Sequence, residues 1–238
     1  MIRRRAGDAF GDSYAFPGGV VDADEAAARG FCRGREAGQV DAELGLSGGG
    51  LDFYSAAIRE LFEETGVLLA RDSEGNWAFA GQEDNGLRLE MRSKLNRGEL
   101  PWASLLQQQK LFIACDALQY FSFWETPLRL PKRWAARFFA AELPPHQAAE
   151  HDGSEVTECC WMRAGEILAA SRDGSMALPF PTLTTLKALS AFESVDALLD
   201  QLRTQAATGV KKIRPVILRH NGEIRFLIPG DPDYPQSE

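Results

Sequence analysis

The sequence predicts an α/β chain of the α+β type, with a mixed β-sheet flanked by helices. Three observations carry this expectation. Apolar residues keep helical spacing across residues 51–65. β-forming residues concentrate in residues 118–125, 136–143 and 156–162. Strand-like and helix-like segments also follow one another without strict βαβ alternation. With 238 residues, 45% of them hydrophobic and 25% charged, there is chain enough for one large domain with a real core.

Taken in order, Met1-Ile2-Arg3-Arg4 offers only a short strand before the first loop, and Met1 is therefore expected to be an internal start. Residues 34–50 hold six glycines and end in Gly48-Gly49-Gly50, which predicts a loop. The loop lacks the Lys-Ser/Thr ending of a P-loop. The helix over residues 51–65 stops at Gly66. A strand over 67–70 follows, continued by 77–79, then a polar helix over 82–97 and a proline-opened helix over 101–111. After the three β-rich segments come a helix over 164–171, a turn at Pro179-Phe180-Pro181, and helices over 183–192 and 195–204. Residues 214–219 and 223–228 form a hairpin about His220-Asn221-Gly222, because Asn-Gly favours the tight turn between strands. The expected division is a main domain over 1–205 and a hairpin extension over 206–238 packed on it.

Composition removes several classes. The net charge of -8 gives no general attraction to nucleic acid or to anionic membrane. No apolar stretch approaches the ~18–20 residues that span a bilayer, and no apolar segment follows the basic start as a secretory signal requires. The four cysteines form no CxxC pair, and Cys159-Cys160 would point to opposite faces of a strand, so reduced thiols in a cytoplasm are expected, and no zinc. His146, His151 and His220 are scattered and are assigned no function.

At about 100° per residue, Glu63 and Glu64 fall within roughly 60° of Glu60, one on either side. Tyr54, Ile58, Leu61, Phe62 and Thr65 lie opposite. One face is therefore buried, and the other gathers three carboxylates that repel one another. Alone, such a face is ordinarily solvated surface; a divalent cation with its preference for hard oxygen is the sharper reading.

The wider spacing favours the cation. Arg59-Glu60-Leu61-x-Glu63-Glu64-x-Gly66-Val67 matches the core of the Nudix box, a pattern expected by chance less than about once in ten thousand such chains. Phe16-Pro17-Gly18-Gly19 followed by Glu25 matches the opening of the same box. The chain thus resembles the Nudix hydrolase superfamily, which implies an α/β/α sandwich around a mixed sheet, here with helical insertions. The family places seven residues between the first glutamate and the arginine, whereas 33 intervene here, with an insertion at about residues 26–50. A box interrupted in this way is similar to that of the coenzyme A diphosphatase branch. Trp124-Glu125-Thr126-Pro127, Arg137-Phe138-Phe139 and Glu155-x-x-Glu158-x-x-Trp161 are also similar to that branch, so the resemblance runs from Ile2 to Leu189.

The resemblance implies that Glu60, Glu63, Glu64 and the Gly18 carbonyl hold Mg²⁺ or Mn²⁺. Glu60 and Glu64 would serve the chemistry, Arg59 would bridge the carboxylates, and Glu155 or Glu158 would take the proton of the attacking water. Arg29, Arg33 and Arg35 of the insertion, and Arg4 of the basic start, are the candidate phosphate contacts. Glu25 either folds back on Arg59 or is solvated. The implied activity is metal-dependent cleavage of a diphosphate in a nucleoside diphosphate conjugate, coenzyme A or acyl-coenzyme A first, with ADP-ribose or NADH as alternatives. A non-catalytic sensor on the same fold is a further class, opposed by the intact acids. The expected partner is a small molecule, and the chain is expected to be a cytoplasmic protein able to form a homodimer.

Overall fold

The computed structural model describes residues 1–5, 7, 11–81, 84–206, 209–220 and 223–235. Its helices are α1 (Glu25–Ala28), α2 (Ala37–Leu44), α3 (Gly50–Thr65), α4 (Asn85–Asn96), α5 (Trp102–Gln109), α6 (Ala164–Arg172), α7 (Phe180–Leu189) and α8 (Val195–Ala206). Its strands are β1 (Ile2–Arg4), β2 (Tyr14–Ala15), β3 (Cys32–Arg33), β4 (Ala70–Arg71), β5 (Phe112–Ala114), β6 (Gln119–Glu125), β7 (Ala135–Ala140), β8 (Val156–Cys159), β9 (Lys212–Ile213), β10 (Val216–His220) and β11 (Glu223–Leu227). Among the described residues they pair into four small sheets, ordered β2-β1-β8, β3-β5-β4, β7-β6-β9 and β10-β11. The second and third of these mix parallel and antiparallel pairs.

The core forms around α3. Its Tyr54, Ile58 and Phe62 recur every fourth residue and are fully buried, packed with Leu68, Leu69, Leu105, Leu106 and Ile113. Burying each such side chain contributes roughly 1.5–3 kcal/mol. At its start, the Gly50 N–H donates to the Asp41 carboxylate at 2.6 Å, which satisfies an otherwise orphaned amide and sets an anion at the positive end of the helix. At its end, Gly66 turns left-handed at φ 73° and donates to the Phe62 carbonyl at 2.8 Å.

Four sequence expectations are corrected. Residues 34–50 are not a loop throughout: α2 forms there because Val40 and Leu44, four apart, both reach the core. Tyr54 Oη donates to Glu43 at 3.0 Å, and Arg35 pairs with the same carboxylate, which fastens α2 to α3. The strand expected over 67–70 is reduced to Ala70–Arg71, since Val67, Leu68 and Leu69 are buried outside any described strand. Trp77 adds only an isolated bridge to Arg71. Pro179-Phe180-Pro181 is not a turn but the opening of α7, where Pro181 sits in the first turn and needs no N–H. The Asn221-Gly222 turn lies outside the described residues, although the strands on either side pair from Val216↔Leu227 to His220↔Glu223.

Three connections bring distant segments to one end of α3. β1 lies between β2 and β8, and the Arg5 N–H donates to the Glu155 carbonyl at 3.0 Å. The Gln147 carboxamide accepts the Leu68 N–H at 2.8 Å and donates to the Leu68 and Ala78 carbonyls at 3.0 and 2.9 Å. The Glu150 N–H donates to the Thr65 carbonyl at 2.8 Å. The chain leading into β8 is therefore pinned against the C-terminal end of α3. Elsewhere, β9 pairs in parallel with β6 and Arg214 forms an ion pair with Glu125, so the segment after α8 joins that sheet.

Candidate active site

Glu60, Glu63 and Glu64 line a cavity of about 110 Å³, together with Asn96, Asp152, Ser154 and Glu155. Helical spacing supplies the first three acids, and the pinned chain before β8 supplies Asp152 and Glu155. The Gly18 N–H donates to Glu64 at 2.7 Å, which joins the glycine turn to the helix. Gly19 comes so close to Glu60 that a Cβ there would collide with the carboxylate. The obstacle is the mobile end of a side chain, so Gly19→Ala should fold but drive Glu60 aside. The expected result is a loss of activity of about 10²-fold with an unchanged melting temperature, measured by steady-state kinetics and calorimetry.

Arg59 is the hub of the cluster. It donates to Glu25 at 2.7 Å, to Glu63 at 2.7 Å and to the Val20 carbonyl at 3.1 Å, and it contacts Glu60 at 2.9 Å. Glu25 is 1% exposed and also accepts from the Ser55 hydroxyl, which in turn accepts from Trp102 Nε1 at 3.0 Å. The insertion thus loops out while Glu25 folds back on the arginine. Burial disfavours the Arg59 charge, but Glu25, Glu60 and Glu63 outweigh it and raise its pKa.

Burial dominates the acids. It pushes the Glu64 carboxyl up to about 8, against the pull of the Gly18 amide and of Arg4, with Glu60 and Glu155 adding repulsion. It pushes Glu63 up to about 7 despite Arg59, and raises Glu60 as well. As the side chains lie, no three acidic groups among the described residues are gathered at metal-ligand spacing, because Glu60 and Glu63 are turned to Arg59 and Glu64 to the Gly18 amide. The donor set nevertheless fits a hard divalent cation. It consists of carboxylate oxygens around one cavity, their charges under-compensated, on side chains that can turn inward by rotation.

This has a consequence for stability. A carboxyl with a raised pKa in the folded state binds more protons than the unfolded chain, so its contribution is greatest below about pH 4.5 and falls as pH rises through about 7 and 8. The metal-free protein is therefore expected to lose stability between pH 5 and 8, by on the order of a few kcal/mol. Adding Mg²⁺ should recover most of it at pH 8 and little at pH 5, as read by chemical denaturation.

The nominated residues divide. Arg59, Glu60, Glu63, Glu64, Gly18 and Glu155 are brought together, and Arg4 stands near enough to Glu64 for its charge to be felt. Gly18 meets the cluster through its amide. Glu158 is outside the cavity lining and accepts from Tyr14 Oη at 2.7 Å. In this conformation the insertion arginines have partners away from the acidic cavity. Arg29 forms a two-pronged pair with Asp52 at 2.5 and 2.6 Å, about 12 Å along α3 from Glu60. Arg33 donates to the Gly30 and Cys32 carbonyls and stacks 4.3 Å over Phe112, and Arg35 pairs with Glu43. Asp152 was missed. It accepts from the Glu155 and Val156 amides at 3.3 and 2.9 Å, and the only sequence signal was an Asp-Gly-Ser turn before a strand.

The split box assembled at the end of α3, and the fold that carries it, resemble those of the Nudix superfamily. The chain's similarities run to named Nudix proteins. A Caenorhabditis elegans chain with the provisional name nudix hydrolase 7 is 28% identical over 222 residues, covering 92% of this chain and 63% of that one. The acyl-coenzyme A diphosphatases NUDT19 of Xenopus laevis and Homo sapiens are 26% and 29% identical, each match covering 76% of this chain and 50% of the relative. The chain therefore spans about half to two thirds of the length of these relatives. The crystal structure of a NUDIX hydrolase from Alicyclobacillus acidocaldarius superposes with a TM-score of 0.70 at 25% identity, covering 88% of this chain and 87% of that one. No protein-family model matches the chain.

Proposed function

We propose that this protein is a Mg²⁺- or Mn²⁺-dependent hydrolase of the diphosphate linkage in coenzyme A or an acyl-coenzyme A. The observation that carries the reading is one cavity that Glu60, Glu63, Glu64, Asp152 and Glu155 line together, beside the Gly18-Gly19 turn. The NUDT19 relatives, named as acyl-coenzyme A diphosphatases, favour that substrate over ADP-ribose or NADH.

Glu60, Glu63 and Glu64 would hold the cation, with Asp152 and Glu155 within reach across the cavity. The bound ion would supply charge neutralisation of the diphosphate and a lowered pKa for the attacking water. Glu155, reaching in from outside the helix, takes the proton of that water. Arg59 holds the glutamate side chains in place through its bonds to Glu25, Glu60 and Glu63. Arg4, near Glu64, meets a phosphate oxygen of the substrate. Among the described residues no helix is long and apolar enough to cross a membrane. Four free thiols fit residence in the reducing cytoplasm, and homodimerisation belongs to the same proposal.

The test is incubation of the purified protein with Mg²⁺ or Mn²⁺ and, separately, coenzyme A, acyl-coenzyme A, ADP-ribose and NADH, with products separated by chromatography. Metal-dependent conversion of the coenzyme A compounds into two phosphomonoester products is expected, at a higher kcat/KM than for the other two. Preference for ADP-ribose or NADH would overturn the substrate, and cleavage of none would overturn the activity.

A further inference from the structure

A helix leaves its last carbonyls without partners of its own. At the end of α3 they are taken up from outside. The Glu63 carbonyl accepts from two side chains of α4, Arg92 Nε at 2.9 Å and Asn96 Nδ2 at 3.2 Å. Arg88, one turn earlier, donates to the Gly66 carbonyl at 3.0 Å and to the Ala148 carbonyl at 3.2 Å. Arg88, Arg92 and Asn96 recur every fourth residue, so one edge of α4 runs along the end of α3 and reaches the chain that carries Asp152.

Arg92 is the unusual member. It is 4% exposed, it has no ion pair within 4.0 Å among the described residues, and its Nη2 is buried without an acceptor. An unpaired buried guanidinium is costly, and an apolar side chain of similar size would fill the space more favourably. What the guanidinium gains is place. It lies at the negative end of α3, where a cation is favoured, and makes a charge-assisted bond to the backbone of Glu63, whose side chain lines the cavity.

We infer that Arg92, with Asn96, is a positioning residue of the acidic cavity: from behind the helix it fixes the Glu63 backbone and thereby the geometry in which Glu63 meets a cation. This rests on the proposed metal-binding role of the cavity. A residue kept only for folding would lower stability when replaced and leave ion affinity alone. The positioning role makes the opposite demand.

The experiment titrates Mn²⁺ alone into the full-length chain, reading free Mn²⁺ by electron paramagnetic resonance, with melting temperatures taken in the absence of metal. Arg92→Met is expected to weaken Mn²⁺ binding by about tenfold or more while the metal-free melting temperature is kept or raised. Arg92→Lys, which retains a charged donor for the Glu63 carbonyl, should regain most of the loss. Unchanged affinity in Arg92→Met, with the wild type binding normally, would overturn the inference. A wild type that binds no Mn²⁺ would overturn the metal reading of the cavity itself. Should Arg92→Met fail to fold, the exposed Asn96→Ala carries the test, and unchanged affinity there is equally decisive against it.

Discussion

Glu64→Gln should abolish most diphosphate cleavage, by about 10³-fold, while making the metal-free protein more stable at pH 8. Both effects have one origin. Glu64 is 5% exposed, and burial raises its pKa to about 8, so in its charged form the side chain is held in place at a cost. Glutamine keeps the shape and an oxygen for the Gly18 N–H, which lies 2.7 Å away, but carries no charge. The stability gain is of the order of a few kcal/mol at most, because the pKa and the relaxation around it set only an order of magnitude. The loss of activity corresponds to roughly 4 kcal/mol of transition-state stabilisation, the scale expected for removing a metal ligand. Parallel measurement of kcat/KM and of metal-free unfolding checks both signs. An active variant, or one that is inactive only because it unfolds, would contradict the role given to this residue.

The second large effect is expected at Glu25. Its carboxylate is buried between the Ser55 hydroxyl and Arg59, and α1, which begins at Glu25, otherwise offers only alanine side chains. Glu25→Ala removes one partner of a buried ion pair and leaves the Arg59 charge without the acid that fixes its Nε side. Such losses cost about 3–5 kcal/mol in stability. Arg59 would then be free to close on Glu60 and Glu63, so activity should fall beyond what unfolding explains. Denaturant unfolding and rate measurement at a temperature where the variant stays folded separate the two. A destabilisation below about 1 kcal/mol would mean that Glu25 is as dispensable as a solvated acid.

How much of this was legible depends on the range of the interaction. The acidic helix, its apolar face and its glycine stop are local, and helical periodicity displays them directly. Glu25 was ambiguous in sequence because 33 residues separate it from Arg59, and periodicity cannot reach across a looped-out insertion. α2 was hidden because its two core contacts, Val40 and Leu44, stand among glycines that signal a loop. The opening of α7 resembles a turn in sequence because proline is at home in both settings. Glu155 and Glu158 stood three apart with nothing in the sequence to separate them; the Tyr14 hydroxyl holds one and the cavity receives the other. Arg92 and Asp152 carried no local signal at all. Their meaning comes from α4 and the chain before β8 meeting the end of α3, which only the tertiary structure displays.

The cavity beside Gly18-Gly19 is proposed as a divalent-cation site. Anomalous diffraction at the manganese edge from crystals grown with Mn²⁺ tests it most directly. Anomalous density is expected in the cavity within coordination distance of Glu60 and Glu64, with both side chains turned inward relative to their bonds with Arg59 and the Gly18 amide. Full-occupancy manganese bound elsewhere, with Glu60 still on Arg59 and Glu64 still on Gly18, would contradict it.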